Sequence, residues 1–208
     1  MRKIVILITI GLILTFKLEA KKIEGEILFA DDTITVTFNI PIKFFTQEPN
    51  YEKLQYKIKY FDSTGKKIVL RPDNAKEIRF KYDNENVRML SRHNSLGLGN
   101  IFSMSTNIFL KLETDGKLKL FNYYYTQSSP GMHNASTGAM TGGYSYSVER
   151  YILQKGDGEL KRPKSLTFKK DMVEYFSDCP ALVEKIESKD FRKNDLEFIV
   201  NYYNSNCR

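Results

Sequence analysis

Apolar and polar side chains alternate with period two over much of the chain, from Lys22 to about Lys161. Because successive side chains of a strand point to opposite faces, this pattern predicts strands that have one buried and one solvated face. The clear runs are Ile34, Val36 and Phe38; Leu54, Tyr56, Ile58 and Tyr60; and Ile78, Phe80 and Tyr82. We expect about eight or nine antiparallel strands with local connections, arranged as a sandwich, a meander or a partly open barrel.

Turn-forming residues separate neighbouring strands at two places. The segment Asp62-Ser63-Thr64-Gly65 follows one predicted strand, and Asp115-Gly116 lies between the apolar runs at residues 108–112 and 118–125. Asp-Gly readily adopts the positive φ angles of a tight turn. Both segments predict β-hairpins, and a further strand is predicted at residues 144–153.

The periodicity changes to that of a helix after Arg162 and Pro163. Apolar side chains then fall on one helical face in successive groups. These groups are Phe168, Met172, Tyr175 and Phe176; Leu182, Val183 and Ile186; and Leu196, Ile199, Val200 and Tyr203. The pattern predicts the α+β class, with an antiparallel β domain at residues 21–162 and about three short helices at residues 163–208 that dock on the sheet.

The first 20 residues have the features of a secretory signal peptide. Arg2 and Lys3 give a basic start, residues 4–16 form an unbroken apolar run, and Ala20 is the small residue needed at a cleavage position. A helix made of that run would be about 20 Å long, at about 1.5 Å per residue, which is too short for a hydrocarbon core of about 30 Å. The sequence therefore predicts a secreted or periplasmic protein, with no transmembrane span after signal cleavage.

Composition excludes several classes of function. The net charge is +7, and the basic pairs are scattered among acidic residues, so we expect no nucleic-acid partner. Two His and two Cys are too few for a histidine cluster or a four-thiolate zinc site. We expect no metal and no cofactor, and no motif assigns a catalytic residue.

Cys179 and Cys207 flank the second and third predicted helices. In an oxidising compartment such a pair is more often bridged than free. Two helices that run antiparallel would return Cys207 towards Cys179. We therefore expect a disulfide, which stabilises the fold by about 3.6 kcal/mol in the chain-entropy account.

A binding surface is predicted around residues 126–143, a polar stretch between two aromatic strands. Loops of that length are usually binding loops or mobile excursions. The tyrosines at its base could stack on a sugar or grip a peptide, although tyrosines in strands also pack across a sheet. The candidate binding residues are Tyr123, Tyr124, Tyr125, His133, Tyr144 and Tyr146.

The C-terminal region resembles a group of bacterial proteins. The residues that carry the resemblance are Phe168 to Asp171, Asp178-Cys179-Pro180-Ala181-Leu182, Lys185-Ile186, Phe191, Asp195-Leu196, Ile199-Val200, and Tyr202-Tyr203-Asn204 to Cys207. They look like the tail of small secreted proteins of unassigned function from Bacteroidota, especially flavobacteria. The β region resembles them more loosely, through Gly25-Glu26-Ile27, Asp62 to Gly65 and Leu70-Arg71-Pro72. The resemblance implies an exported or envelope protein and carries across no catalytic residue.

These observations favour a non-enzymatic binding or structural module, with another envelope protein, a peptide or a glycan as its partner. The alternative is a hydrolase of cell-wall or extracellular polymer, in which Glu149 or Asp157 beside the long loop works as acid and base. A deep cleft with converging carboxylates would indicate the hydrolase. A shallow aromatic surface or an open strand edge would indicate the binding module.

Overall fold

The computed structural model describes residues 20–98, 105–131, 136–138, 140 and 142–207, so His133 and residues 1–19 of the predicted signal peptide lie outside the described part. Within this part the strands are β1 (Ala20–Leu28), β2 (Thr33–Pro41), β3 (Ile58–Phe61), β4 (Lys67–Leu70), β5 (Glu77–Tyr82), β6 (Glu85–His93), β7 (Asn107–Thr114), β8 (Leu118–Ser129) and β9 (Tyr144–Lys155). The helices are α1 (Tyr51–Leu54), α2 (Phe168–Tyr175), α3 (Pro180–Glu187) and α4 (Leu196–Asn206). The predicted α+β class, a β-rich region followed by short C-terminal helices, is confirmed.

The described strands form one antiparallel sheet in the order β4-β3-β2-β1-β5-β6-β7-β8-β9. β1 lies inside the sheet, between β2 and β5. One meander grows outward from β1 through β2, β3 and β4. The chain then crosses back to the free side of β1, and a second meander continues from β5 to β9.

The sheet coils so strongly that strands far apart in its order come close together. The backbone N–H of Phe109 in β7 donates to the carbonyl of Gln55 over 3.0 Å, and β3 begins soon after Gln55, at Ile58. Three residues span at most about 10 Å, whereas the five strand spacings from β3 to β7 would cover about 24 Å in a flat sheet. The sheet is therefore open but coiled, as in the predicted partly open barrel, and α1 fills the gap.

The inner face of the coil holds the main hydrophobic core. Its fully buried side chains include Ile27, Phe38, Ile40, Leu54, Ile58, Ile78, Met89 and Phe109. Burial of each such side chain stabilises the fold by about 1.5–3 kcal/mol. Gly25 of β1 leaves room for this core, because a Cβ there would lie 2.3 Å from the Arg79 carbonyl oxygen and 2.7 Å from the Phe38 ring.

The predicted strand that included Leu54 and Tyr56 starts later than expected. β3 begins at Ile58, and the residues just before Gln55 form α1 instead. Asn50 begins this helix, since its side chain accepts a hydrogen bond from a backbone N–H of the first turn. The alternating pattern was therefore wrong over its first half, where a side-chain cap favours a helical turn.

The C-terminal helices pack on one end of β8 and β9, against Leu118, Leu120 and Leu153. Asn204 of α4 fixes this contact, because its side chain accepts from the N–H of Leu118 over 2.8 Å and donates to the carbonyl of Leu118 over 2.9 Å. Gly116 permits the close approach, since a Cβ there would lie 2.6 Å from the Asn204 side chain. The helices thus dock on the sheet.

Cys179 and Cys207 form the predicted disulfide, with Cα atoms 5.5 Å apart. It joins the residue before α3 to the residue after α4. Both cysteines are buried in the cluster between the helices and the sheet. In the part of the chain that the structure describes, no helix combines the length and the apolar character needed to cross a membrane.

Candidate functional site

β8 and β9 form a two-stranded ribbon that projects beyond the rest of the sheet. The two strands pair along their whole length, as far as Ser129 opposite Tyr144. β7, in contrast, pairs with β8 only as far as Asn122. Residues 123–129 and 144–150 therefore extend past the last pairing with β7, and we call them the ribbon.

Polar side chains at α1 take over the backbone groups of β8 that β7 leaves unpaired. The side-chain nitrogen of Gln55 donates to the carbonyl of Tyr124 over 2.8 Å, and its side-chain oxygen accepts from the N–H of Tyr124 over 2.7 Å. Two residues further on, the Glu52 carboxylate accepts from the N–H and the hydroxyl of Thr126. Because Gln55 is fully buried, these bonds hold the base of the ribbon in one position.

One face of the ribbon is aromatic, and we call it the tyrosine face. At its base Tyr123 and Tyr125 stack with ring centroids 5.7 Å apart, and Arg150 lies 4.6 Å from the Tyr125 centroid. Nearer the tip, Tyr144 and Tyr146 stack at 6.0 Å. Tyr144 is 65% exposed and Tyr146 is 46% exposed, whereas Tyr123 is 6% exposed. The tyrosine face thus runs from a buried base to an exposed tip.

Tyr124 points to the opposite side of β8 from its neighbours. It belongs to the inner core and stacks on Tyr51 of α1, with ring centroids 5.0 Å apart. Burial, together with the nearby Glu149 carboxylate, raises the pKa of Tyr124. The structure therefore brings four of the predicted binding tyrosines onto one face of the ribbon and places Tyr124 in the core. His133 lies outside the described residues.

The loop at the tip of the ribbon is shorter than predicted. Residues 126–129 continue β8 instead of starting the loop, because each of them pairs with a residue of β9. The hydroxyls of Ser128 and Ser145 lie 2.9 Å apart on the face opposite the tyrosines. The loop is therefore limited to residues 130–143.

A groove of about 740 Å³ lies between the outer edge of β9 and residues 162–167. Lys161 pairs with Leu153 of β9 through two backbone hydrogen bonds, and the chain then turns away from the strand. Glu149 contributes the carboxylate among the lining residues. The cationic lining residues are Arg150, Arg162, Lys164 and Lys193. We call this the cationic groove; no sequence motif indicated it, because its residues are scattered along the chain.

The two carboxylates considered for a hydrolase do not form one site. Glu149 lies within β9, and Asp157 lies beyond the other end of that strand, away from the loop. The six residue-to-residue steps from Glu149 to Lys155 cover about 20 Å, whereas the carboxylates of a glycosidase lie about 5–10 Å apart. Among the described residues, no three His, Cys, Asp or Glu side chains are grouped so that they could hold a metal ion.

A buried carboxylate on the outer face of the sheet is neutralised by two arginines. Glu77 accepts from the Nε atoms of Arg79 and Arg88, at 2.6 Å each, and Arg88 also donates to Asp115. Burial acts to raise the pKa of Glu77, but the hydrogen bonds from Arg88 and Arg79 outweigh burial and hold it below its usual value. This cluster joins β5, β6 and the β7–β8 turn, so its role is to hold these strands together.

Comparison of the chain with models of protein families, with curated proteins and with solved structures finds no match.

Proposed function

We propose that this is an exported binding module that holds a protein partner through the tyrosine face. The observation that carries the proposal is the exposed, stacked pair Tyr144 and Tyr146 on a ribbon that extends past the rest of the sheet. Exposed aromatic rings that form a contiguous patch mark a candidate interaction surface, whereas scattered single ones do not.

The composition of the face favours a protein over a glycan. Tyrosine and arginine are enriched at the centres of protein interfaces, and both are present here, with Arg150 on the Tyr125 ring. The Tyr144 and Tyr146 rings stack on each other, so each turns one face towards its neighbour rather than towards a sugar ring. The surface that remains consists of the other ring faces, the ring edges and the hydroxyls, which offers protein side chains both apolar contact and hydrogen bonds.

The anchoring of the ribbon also supports a binding role. Gln55 and Glu52 hold β8 where β7 ends, so the tyrosine face does not have to be ordered when the partner arrives. Preorganisation of this kind raises affinity, because less conformational freedom is lost on binding.

Export is supported by the apolar N-terminal segment, by the disulfide between Cys179 and Cys207, and by the resemblance to secreted proteins of Bacteroidota. We expect the mature protein to begin at or near Lys21. Mass spectrometry of the protein from its native compartment checks this, and recovery of a mature chain that still starts at Met1 would contradict export by cleavage.

The binding proposal is tested by photo-crosslinking followed by reconstitution. A photoreactive phenylalanine is placed at position 146, and for comparison at position 45, because Phe45 is 93% exposed but belongs to the β2–α1 connection and not to the ribbon. The partner captured at position 146 is purified and its affinity for the protein is measured. The double variant Tyr144→Ser, Tyr146→Ser should weaken binding by about thirtyfold or more, whereas Phe45→Ser should leave it unchanged.

The variant Tyr144→Phe, Tyr146→Phe is a second control, because it keeps both rings and should keep most of the affinity. Equal binding by the serine variant and the native protein would overturn the proposal. Crosslinks to polysaccharide instead of protein would assign the tyrosine face to a glycan and would also overturn it. Release of cleaved polymer on incubation with wall material would favour the hydrolase.

A further inference from the structure

The outer edge of β9 carries backbone groups with no partner in the described sheet. The N–H and carbonyl of Leu153 bond outward, to Lys161. In an antiparallel ladder the direction of the backbone groups alternates from residue to residue, and the β8–β9 register is regular throughout. Outward groups therefore belong also to Ser145, Ser147, Glu149 and Tyr151. No backbone hydrogen bond joins these four to another described residue.

 Proline explains why the edge of β9 stays open beyond Lys161. Lys161 pairs with Leu153, so the next residue that would pair with β9 is Pro163, opposite Tyr151. Proline has no N–H to donate to a ladder. The chain therefore leaves β9 after Lys161, and the cationic groove opens beside the unpaired strand edge.

Charge selects what can occupy this groove. Four of the lining side chains are cationic, and Glu149 is the acidic one. No ion pair joins any of the four to another described residue. Lys193 donates to the hydroxyl of Ser165 over 2.6 Å, and its charge remains uncompensated there. A ligand that carries several negative charges would be attracted.

We propose that the cationic groove binds an extended acidic peptide segment, which adds to the outward groups of β9 as a further strand. Strand addition supplies backbone hydrogen bonds, and the arginines and lysines select acidic side chains. A second copy of this chain fits less well, because edge-to-edge pairing would bring two cationic grooves together. The groove follows the edge of β9 and shares only Arg150 with the tyrosine face, so this proposal does not rest on the proposed function.

The test uses a capped eight-residue peptide in which glutamate alternates with valine, labelled for fluorescence anisotropy. The comparison peptides replace glutamate by lysine, or carry N-methyl groups on four consecutive central amides. The acidic peptide should bind, and more weakly as salt is raised. The lysine peptide should not bind, and the methylated peptide should bind about tenfold more weakly or worse, because it keeps the charge but cannot pair as a strand.

A matched pair of protein variants tests the edge itself. Ser147→Pro removes one outward N–H without touching the bonds to β8, whereas Ser147→Ala keeps that N–H. The proline variant should lower affinity about tenfold and the alanine variant should not. The double variant Arg162→Ser, Lys164→Ser should also weaken binding, while Tyr144→Ser, Tyr146→Ser should not. Circular dichroism checks the fold, and if the proline variant does not fold, the methylated peptide decides.

Equal binding of the methylated and unmethylated acidic peptides would overturn the proposal, since attraction would then be charge alone. Equal binding of the lysine peptide would overturn it as well. Self-association that is lost in Ser147→Pro would assign the edge to a second copy and would likewise overturn it. Loss of peptide binding with partner capture at position 146 intact would reject this proposal alone and leave the proposed function standing.

Discussion

Replacement of Gln55 by leucine should destabilise the protein more than any other substitution of a single polar side chain that we consider. The Gln55 amide makes two hydrogen bonds to the backbone of Tyr124, at 2.8 and 2.7 Å. Both partners are buried, with Gln55 at 0% and Tyr124 at 7% exposure. Leucine has a similar size but offers neither donor nor acceptor, so the N–H and the carbonyl of Tyr124 would be left buried without a partner.

The magnitude follows from the cost of those two groups. A buried backbone group without a partner costs about 1–3 kcal/mol, and burial of the two apolar carbons that leucine has in excess of glutamine returns about 1–2 kcal/mol, at about 0.8 kcal/mol each. We therefore expect Gln55→Leu to lower the free energy of unfolding by about 2–4 kcal/mol. That is a large share of the total for a domain, which is about 5–15 kcal/mol.

Urea unfolding of the protein measures this effect as a shift in midpoint, with circular dichroism as the signal. Gln127→Leu is the matched control, because Gln127 is an exposed ribbon residue. Hydrogen exchange should also show faster exchange of the ribbon amides in Gln55→Leu than in the native protein. A loss below about 1 kcal/mol for Gln55→Leu would refute the reasoning, since it would mean that Tyr124 finds other partners or water.

Three further predictions concern other parts of the fold. Reduction of Cys179–Cys207 should lower the free energy of unfolding by up to about 3.6 kcal/mol and loosen the C-terminal helices before the sheet, as measured by urea unfolding with and without reductant. The depressed pKa of Glu77 means that its contribution is present above the unfolded-state pKa of about 4.3 and is lost as pH falls through the lower folded-state pKa. Stability should therefore fall more steeply with acid in the native protein than in Glu77→Gln, and equal slopes in acid titrations of the two would contradict this. Replacement of residues 130–143 by Asn-Gly should leave the midpoint of unfolding nearly unchanged, because Ser129 and Tyr144 already pair and a two-residue turn can join them; an unfolded product would show that the loop is a packed element.

Periodicity predicted the elements that bury one face and missed those that are polar on both. The C-terminal helices follow the apolar groups that include Met172, Leu182 and Ile199, and all three side chains are fully buried or nearly so. Residues 126–129 contain no apolar side chain, so no alternation marks them as a strand, and only their pairing with β9 does. The end of β8 in the projecting ribbon was therefore hidden in a stretch that looked like a loop.

The anchoring of the ribbon depends on contacts that local sequence does not contain. Gln55 and Tyr124 are 69 residues apart, and they meet because the sheet coils until β7 and β8 reach α1. The cationic groove is similar, since Lys193 joins Arg162 and Lys164 only after the turn before α4 docks beside β9. The tyrosines were visible in the sequence, but strand alternation alone separates Tyr124 from Tyr123 and Tyr125.

The interior position of β1 sets an order for folding. During synthesis the N-terminus is made first, so β1 can pair with β2 at once. The other edge of β1 stays unpaired until β5 has been made. Closing the long loop between β1 and β5 costs conformational entropy, and the contacts between the two strands offset that cost only after they form. In the interval, Ile23 and Ile27 stand on a strand with one unpaired edge, which is a template for wrong pairing between chains. Pairing with β5 covers that edge, so β1 is protected from wrong pairing only after residues 77–82 have joined it.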